Sequence, residues 1–352
     1  MTENPGLAGR PPAPRRWSRR RLVASLVGAG ALGAAGCLPQ LRFDPRPQRV
    51  PRVGYLIASP LDYPAPLGAP YVDSFREGLR ELGYVEGQNL EVAYRSAELR
   101  ADELPGLATE LVNLPVDVLV VGDSRAIQPA KQATSSVPTV LVVTTDPVLS
   151  GHVASLARPG GHITGLTMAP VETMGKRLEL LQEVTPGLAR VGILYSTDDR
   201  LADLVSAEVE RGTALLGLTS EGLPISHRDD LEAAFDRARQ AGVQGLLVYG
   251  GPLMAAAAGR VAELALAHRL PTMGMSREVV QAGFLMAYAP SLPALYHRAA
   301  TYVDKILKGT SPAVLPVERP TLFDLLVNLR TAQALGISLP QHMLLSATNI
   351  IQ

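Results

Sequence analysis

The chain has 352 residues, 47% of them hydrophobic, with 33 basic and 33 acidic side chains and a single cysteine. That length and apolar share suffice for a large buried core. The balanced charge offers no clustered basic footprint for nucleic acid, and one cysteine excludes an internal disulfide framework.

The basic cluster Ser18-Arg19-Arg20-Arg21-Leu22-Val23 opens an apolar run from Leu22 to Gly36 that ends at Cys37. A charged segment, an apolar stretch and a small-residue cleavage site are the parts of an export signal, and a run this short does not comfortably cross a bilayer core of ~30 Å. The mature chain is therefore expected outside the cytoplasm, at a periplasmic or cell-surface face. Arg19-Arg20 resembles a twin-arginine motif, with Leu22 where Phe is commoner. Ala34-Ala35-Gly36-Cys37 resembles a lipobox, with Ala34 where Leu is usual, so the Cys37 thiol would be acylated and become an N-terminal membrane anchor. The alternative is an ordinary signal peptide with Cys37 removed or idle. Gly28-Ala29-Gly30-Ala31-Leu32-Gly33 spells a dinucleotide fingerprint but lies inside the apolar run, with no preceding strand and no acidic residue at the ribose distance. No cofactor is expected. Loss of residues 1–36 removes six arginines and one glutamate, leaving a net charge of −5. Residues 37–51, with Pro39, Pro45, Pro47 and Pro51, read as a proline-stiffened tether.

From Arg52 onward, short apolar strands alternate with amphipathic helices, which predicts an α/β fold with parallel sheets. The alternation occurs twice. Arg52-Val53-Gly54-Tyr55-Leu56 with a helix over Val72–Leu82 is answered by Arg190-Val191-Gly192-Ile193-Leu194 with a helix over Leu201–Leu216. Asp117–Gly122 is answered by Gly245–Gly250, and Val137-Pro138-Thr139 by Leu270-Pro271-Thr272. A repeat at about 130 residues is far longer than a solenoid period and predicts two similar lobes.

Open parallel sheets bind ligands beyond the carboxyl ends of their strands, and two such lobes facing each other enclose a cleft. The first lobe should present Ser59, Asp123, Ser124, Thr145 and Asp146 there; the second should present Tyr195, Asp198, Tyr249, Ser276 and Glu278. Hydroxyls and exposed backbone N–H groups suit a small anion, and carboxylates suit an ammonium. The same residue types also cap helices. If the ligand is an amino acid, Ser124 at the start of a helix over Arg125–Thr134 would hold its carboxylate, Asp198 or Glu278 its ammonium, and Tyr195 or Tyr249 its side chain. Tyr55, Tyr63, Tyr71, Tyr195, Tyr249 and Tyr288 all fall near expected strand ends or cleft loops; such rings stack on aromatic or apolar ligands, although Tyr also favours strands.

Longer blocks carry a resemblance. Val85-Glu86-Gly87-Gln88-Asn89-Leu90, Asp146-Pro147-Val148, Val153–Gly161 with Thr164-Gly165, Lys176–Leu181, Ile306–Gly309, Leu315–Glu318 and Asn328–Ala332 are similar to the ABC-transporter substrate-binding family that includes tryptophan- and tyrosine-binding proteins. The resemblance covers essentially all of residues 52–350. It implies a type I periplasmic-binding-protein fold, two lobes joined by three crossovers, in a monomer that delivers a small solute to an ABC permease. The crossovers would fall near Gly165–Thr167, Ala287–Pro290 and Thr310–Leu315, giving one lobe of 52–166 plus 288–310 and another of 167–287 plus 311–350. His152 stands where Leu is usual and His162 where Asn is usual, and both are expected near the strand-end loops of the cleft.

Catalysis competes poorly with binding. The six histidines show no metal-ligand spacing, and a trio of Asp146, Ser124 and His152 has no G-x-S-x-G elbow behind it. An exported α/β enzyme, or a ligand sensor without transport, are the alternatives to a solute-binding protein.

Overall fold

The computed structural model describes residues 49–62, 71–199 and 201–352; the leader, Cys37 and Tyr63 lie outside the described residues. Apolar runs too short for helices form two sheets. The first contains β1 (Arg52–Ile57), β2 (Glu91–Ser96), β3 (Val118–Val121), β4 (Thr139–Leu141) and β5 (Ile163–Gly165), in the order β2-β1-β3-β4-β5. The second contains β6 (Arg190–Ser196), β7 (Thr219–Ile225), β8 (Gly245–Tyr249), β9 (Thr272–Gly274), β10 (Met286–Pro290), β11 (Phe323–Asn328) and β12 (Asn349–Ile351), in the order β12-β11-β10-β9-β8-β6-β7. Helices α1 (Tyr71–Glu81), α2 (Leu104–Asn113) and α3 (Ser124–Ala133) connect the first sheet. Helices α4 (Met174–Val184), α5 (Ala202–Leu215), α6 (Leu231–Gln240), α7 (Pro252–Ala267) and α8 (Arg277–Gln281) serve the second. Then follow α9 (Leu292–Leu307), α10 (Leu329–Leu335) and α11 (Gln341–Ser346). The repeat read from the sequence is a repeat of topology: β2-β1-β3-β4 and β7-β6-β8-β9 have the same order and parallel pairing.

Helices cover both faces of the sheets, so the central strands β3, β4, β8 and β9 are buried throughout rather than alternating. Val53, Tyr55, Val118 and Val120 face a core shared with α1 and α9, and Leu56, Leu119 and Val121 face one shared with α2 and α3. In α1 the buried residues Val72, Phe75, Gly78 and Leu79 recur at helical spacing. Gly78 is required there: a Cβ would stand 2.5 Å from the His297 carbonyl of α9.

The chain passes between the sheets after Gly165, after Pro290 and again before Phe323. Two of the expected boundaries move. Residues up to Pro290 stay in the second sheet because β10 pairs with β9 and β11. Residues 311–318 stay on the first lobe: Thr164 Oγ1 donates to the Leu315 carbonyl (2.6 Å), Val317 N–H to that of Leu156 (2.7 Å) and Glu318 N–H to that of Gly165 (3.0 Å). The third crossover is thus Arg319–Leu322. It delivers the chain to the cleft end of the second sheet, which is why β11 runs antiparallel to β10 while the other described pairings are parallel. Gly165 takes φ of +139°, and a Cβ there would lie 2.0 Å from the Leu141 carbonyl oxygen, so only glycine lets the first crossover leave the sheet.

The crossovers are tied together. Thr167 N–H donates to the Glu318 carbonyl (3.0 Å), Ser291 N–H to that of Leu322 (2.9 Å), and Arg319 pairs with Glu172 (3.0 Å). Beneath them lies Arg177 on α4, fully buried, donating from Nε to the Tyr288 carbonyl (2.8 Å) and from Nη1 to the Pro170 carbonyl (3.1 Å). Burial pushes its pKa down to about 9, which leaves it charged at neutral pH. Arg49–Gln352 form one compact unit.

Replacing Arg177 with Met keeps apolar volume but orphans both carbonyls. The expected loss is about 2–5 kcal/mol of unfolding free energy, measured by urea denaturation; a loss below about 1 kcal/mol would show that the guanidinium does not hold the crossovers.

Candidate functional site

Residues at the carboxyl ends of β1, β3 and β4 line shared cavities with residues at those of β8, β9 and β10, so the strand ends of the two sheets meet across a seam. Four cavities of about 220, 50, 270 and 290 Å³ follow one another along it. They share walls: Tyr71, Glu278 and Leu292 border the first two, Met168, Met275 and Ser276 the second and third, Thr145 and Pro170 the third and fourth. They therefore form one trough between the lobes, with the first crossover, Met168 to Pro170, as its back wall.

On the first lobe Asp123, not Ser124, is the N-cap of α3. Its Oδ1 accepts from the N–H groups of Arg125 (3.1 Å) and Ala126 (3.3 Å), and its Oδ2 from those of Ala58 (2.9 Å) and Ser59 (3.2 Å). One carboxylate thus ties the β1 and β3 strand ends together. Ser59 lies at the trough with its hydroxyl 3.2 Å from Arg125 Nη2. Ser124 is exposed and borders none of the four cavities, so the expected carboxylate seat at this helix start is not formed by its side chain. Thr145 is exposed on the trough wall, and its carbonyl accepts from Thr167 Oγ1 (2.7 Å). Asp146 borders the trough, yet its Oδ1 is taken by the N–H groups of Val148 and Leu149, both at 2.9 Å. The floor is aromatic: Tyr296 donates to the Gly122 carbonyl (2.7 Å) and stacks on Tyr71, with centroids 5.4 Å apart and planes 8° from parallel.

On the second lobe Tyr249 borders the third cavity and donates its hydroxyl to Asp199 Oδ1 (3.3 Å), which also accepts from Leu201 N–H (2.9 Å). Burial and the Asp199 carboxylate push the Tyr249 hydroxyl far above the usual range. Asp198 is exposed and borders none of the cavities, nor does Tyr195, which packs on the core of the second sheet. Ser276 precedes α8 without capping it and borders two cavities, as does the exposed Glu278. Between them Arg277 borders the second cavity, with Nη1 buried and without a hydrogen-bond partner among the described residues. Asp324, half-buried across the same cavity, has its carboxyl raised above the usual range by burial.

Sequence reasoning thus found the two walls but missed Arg277, Asp199, Tyr296 and the two methionines. Arg277 stands directly between two residues that were singled out; nothing in a single sequence distinguishes its guanidinium from a solvated one. Of the tyrosines, Tyr71 lines the trough, whereas Tyr55 is fully buried between Phe75 and Tyr94 and Tyr288 stacks on Phe323. His152 and His162 border none of the four cavities: His152 N–H donates to the Pro147 carbonyl (2.8 Å), and the His162 carbonyl accepts from Thr139 at the amino end of β4. Among the described residues no group of three or more His, Cys, Asp or Glu could hold a metal ion, and no helix is long and apolar enough to cross a membrane.

Residues 58–351 match the family described as ABC transporter substrate binding protein. The chain belongs to that family. It is 24% identical, over 358 aligned positions, to a tyrosine-binding protein of Clostridioides difficile, covering 94% of this chain and 96% of that one. Among solved structures it resembles an ABC domain in complex with L-Trp from Streptococcus pneumonia (TM-score 0.69, 23% identity, 86% of this chain and 99% of that one). It also resembles the ligand-free, open structure of a substrate binding protein with adhesive properties from Clostridium difficile (TM-score 0.73, 20% identity, 86% and 100%). The fold is that of a type I periplasmic binding protein.

Two predictions separate the roles of these residues. Asp123→Ala should cost about 1–2 kcal/mol of stability through the lost cap, while Ser124→Ala should change stability by less than about 0.5 kcal/mol; the reverse order in melting curves would return the cap to Ser124. Burial, with Lys131 nearby, holds His152 and His162 below the usual histidine range. The unfolded chain therefore takes up protons at a higher pH than the folded one, and their contribution to stability falls as pH drops through the ordinary histidine range toward the lower folded values. Denaturation between about pH 7.5 and about pH 5 should show a flatter dependence in the double variant His152→Leu, His162→Asn; an unchanged slope would contradict the assignment.

Proposed function

We propose that this protein is an extracytoplasmic solute-binding lipoprotein that captures an amino acid, preferentially one with an aromatic side chain, and delivers it to an ABC permease. The observation that carries the reading is the interlobe trough, with the Tyr71–Tyr296 stack at one end and Met168 and Met275 at its middle. Flat rings and thioethers offer apolar, polarizable contact for an aromatic side chain, and the hydroxyls of Ser59, Thr145 and Ser276 offer bonds to its polar groups. The relatives support the ligand class, since one is a tyrosine-binding protein and another is in complex with L-Trp.

Delivery to a permease is supported by the family. The export reading rests on the leader with its Arg19-Arg20 pair, and the anchor on Cys37. A binding protein needs a ligand that prefers the closed form over the open one, so that occupancy shifts the lobes together. Binding in such a trough needs no catalytic group and no cofactor.

Protein purified without refolding should release an aromatic amino acid detectable by mass spectrometry, and saturating ligand should lower the radius of gyration in small-angle scattering. Tyr71→Ala should weaken binding about three- to tenfold through the lost stacking. Release of a non-amino-acid solute, or binding without compaction, would overturn the ligand class or the clamp respectively.

A further inference from the structure

The described trough contains several ionisable groups, and most are already committed. Asp123 and Asp146 spend their oxygens on strand-end N–H groups, Asp199 accepts from Leu201 and Tyr249, and Glu172 pairs with Arg319. Arg277 is different. Its Nη1 is buried with no hydrogen-bond partner among the described residues, although Asp324 and Glu278 border the same cavity. Asp324 lies beside the Ser291 and Thr348 hydroxyls instead. A buried guanidinium nitrogen is costly to leave unpaired, and this one belongs to a side chain that borders the trough.

We propose that Arg277 binds the carboxylate of the amino-acid ligand as a forked, charge-assisted pair, which moves the anion seat from the α3 end of the first lobe to the second. This rests on the amino-acid reading of the trough. A planar carboxylate matches the two parallel N–H donors of a guanidinium. The same cavity is narrow, about 50 Å³, and its rim carries the carboxylates of Glu278 and Asp324. That rim opposes a doubly charged phosphate and favours a ligand whose single negative charge is accompanied by an ammonium, which the exposed Glu278 at the trough edge can meet. Tyr71 borders the same cavity, so the backbone end and the ring of an aromatic amino acid find their partners side by side.

Calorimetric titration of the full mature chain with L-tryptophan and L-tyrosine, their amides and their deaminated acids tests the pairing, in wild type, Arg277→Met and Arg277→Lys. Wild type should bind the amide about ten- to hundredfold more weakly than the amino acid. Arg277→Met should lose a similar factor for the amino acid and no longer discriminate it from the amide, with Arg277→Lys recovering part of the loss and melting curves verifying that both variants are folded. An Arg277→Met protein that binds the amino acid within about twofold of wild type overturns the Arg277 assignment and leaves the amino-acid reading standing. Wild type that binds the deaminated acids but not the amino acids, with Arg277→Met losing the acids, overturns the amino-acid reading and keeps the carboxylate seat. Wild type that binds none of the panel overturns both.

Discussion

A charged guanidinium taken wholly out of water under the crossovers is the constraint on which the architecture turns. Among the described residues Arg177 hydrogen-bonds no carboxylate; it is held by two backbone carbonyls, those of Pro170 and Tyr288, with the Met174 sulfur 3.7 Å from Nη1. Such a group is expensive to bury, and its rigid fork binds both carbonyls only at one separation. One carbonyl, that of Pro170, belongs to the first crossover and the other, that of Tyr288, lies in β10 just before the second. The spacing of those two connections is thus fixed by a side chain rather than by the sheets, and the third is registered against the first by the Leu166–Glu318 bridge. Because the crossovers form the back wall of the trough, the same guanidinium sets where that wall stands.

The division of labour among the polar residues follows from the strand ends themselves. A parallel strand that stops at a cleft leaves N–H groups without ladder partners, and these must be satisfied. Asp123 serves Ala58, Ser59, Arg125 and Ala126, and Asp146 serves Val148 and Leu149. Acidic residues at such places are therefore consumed in building the wall they seem to decorate. Beside these carboxylates the trough presents two stacked tyrosines, two thioethers, a few hydroxyls, Arg277 and Glu278 to a solute.

Much of the architecture was legible because it depends on periodicity and repetition. The strand pairs Arg52–Leu56 with Arg190–Leu194, and Asp117–Gly122 with Gly245–Gly250, announced two equivalent lobes, and the structure gives them the same strand order. The third crossover was misplaced because Leu315–Glu318 reads as an ordinary loop; its attachment to Leu156, Thr164 and Gly165 is a matter of contacts some 150 residues apart, on which composition is silent. The site was legible at the level of walls and not of partners. Ser124 and Asp123 are adjacent in sequence, yet one caps and the other faces outward, a difference of backbone φ and ψ. Asp198 and Asp199 repeat the lesson: the second, not the first, turns toward Tyr249.

The two lobes also contribute unlike chemistry, and the difference traces to their unequal sheets. The first lobe receives α9 across one of its faces, which brings Tyr296 beneath Tyr71 and gives that side of the trough its aromatic floor. The second lobe keeps β10 and gains β11, so its strand ends continue past β9 and bring Asp324 opposite α8, where Arg277 and Glu278 project. A solute with an apolar ring at one end and paired charges at the other is complementary to both walls only when they face each other. Neither wall alone offers both halves of that recognition, so the binding free energy favours whichever interlobe geometry lets one molecule touch both.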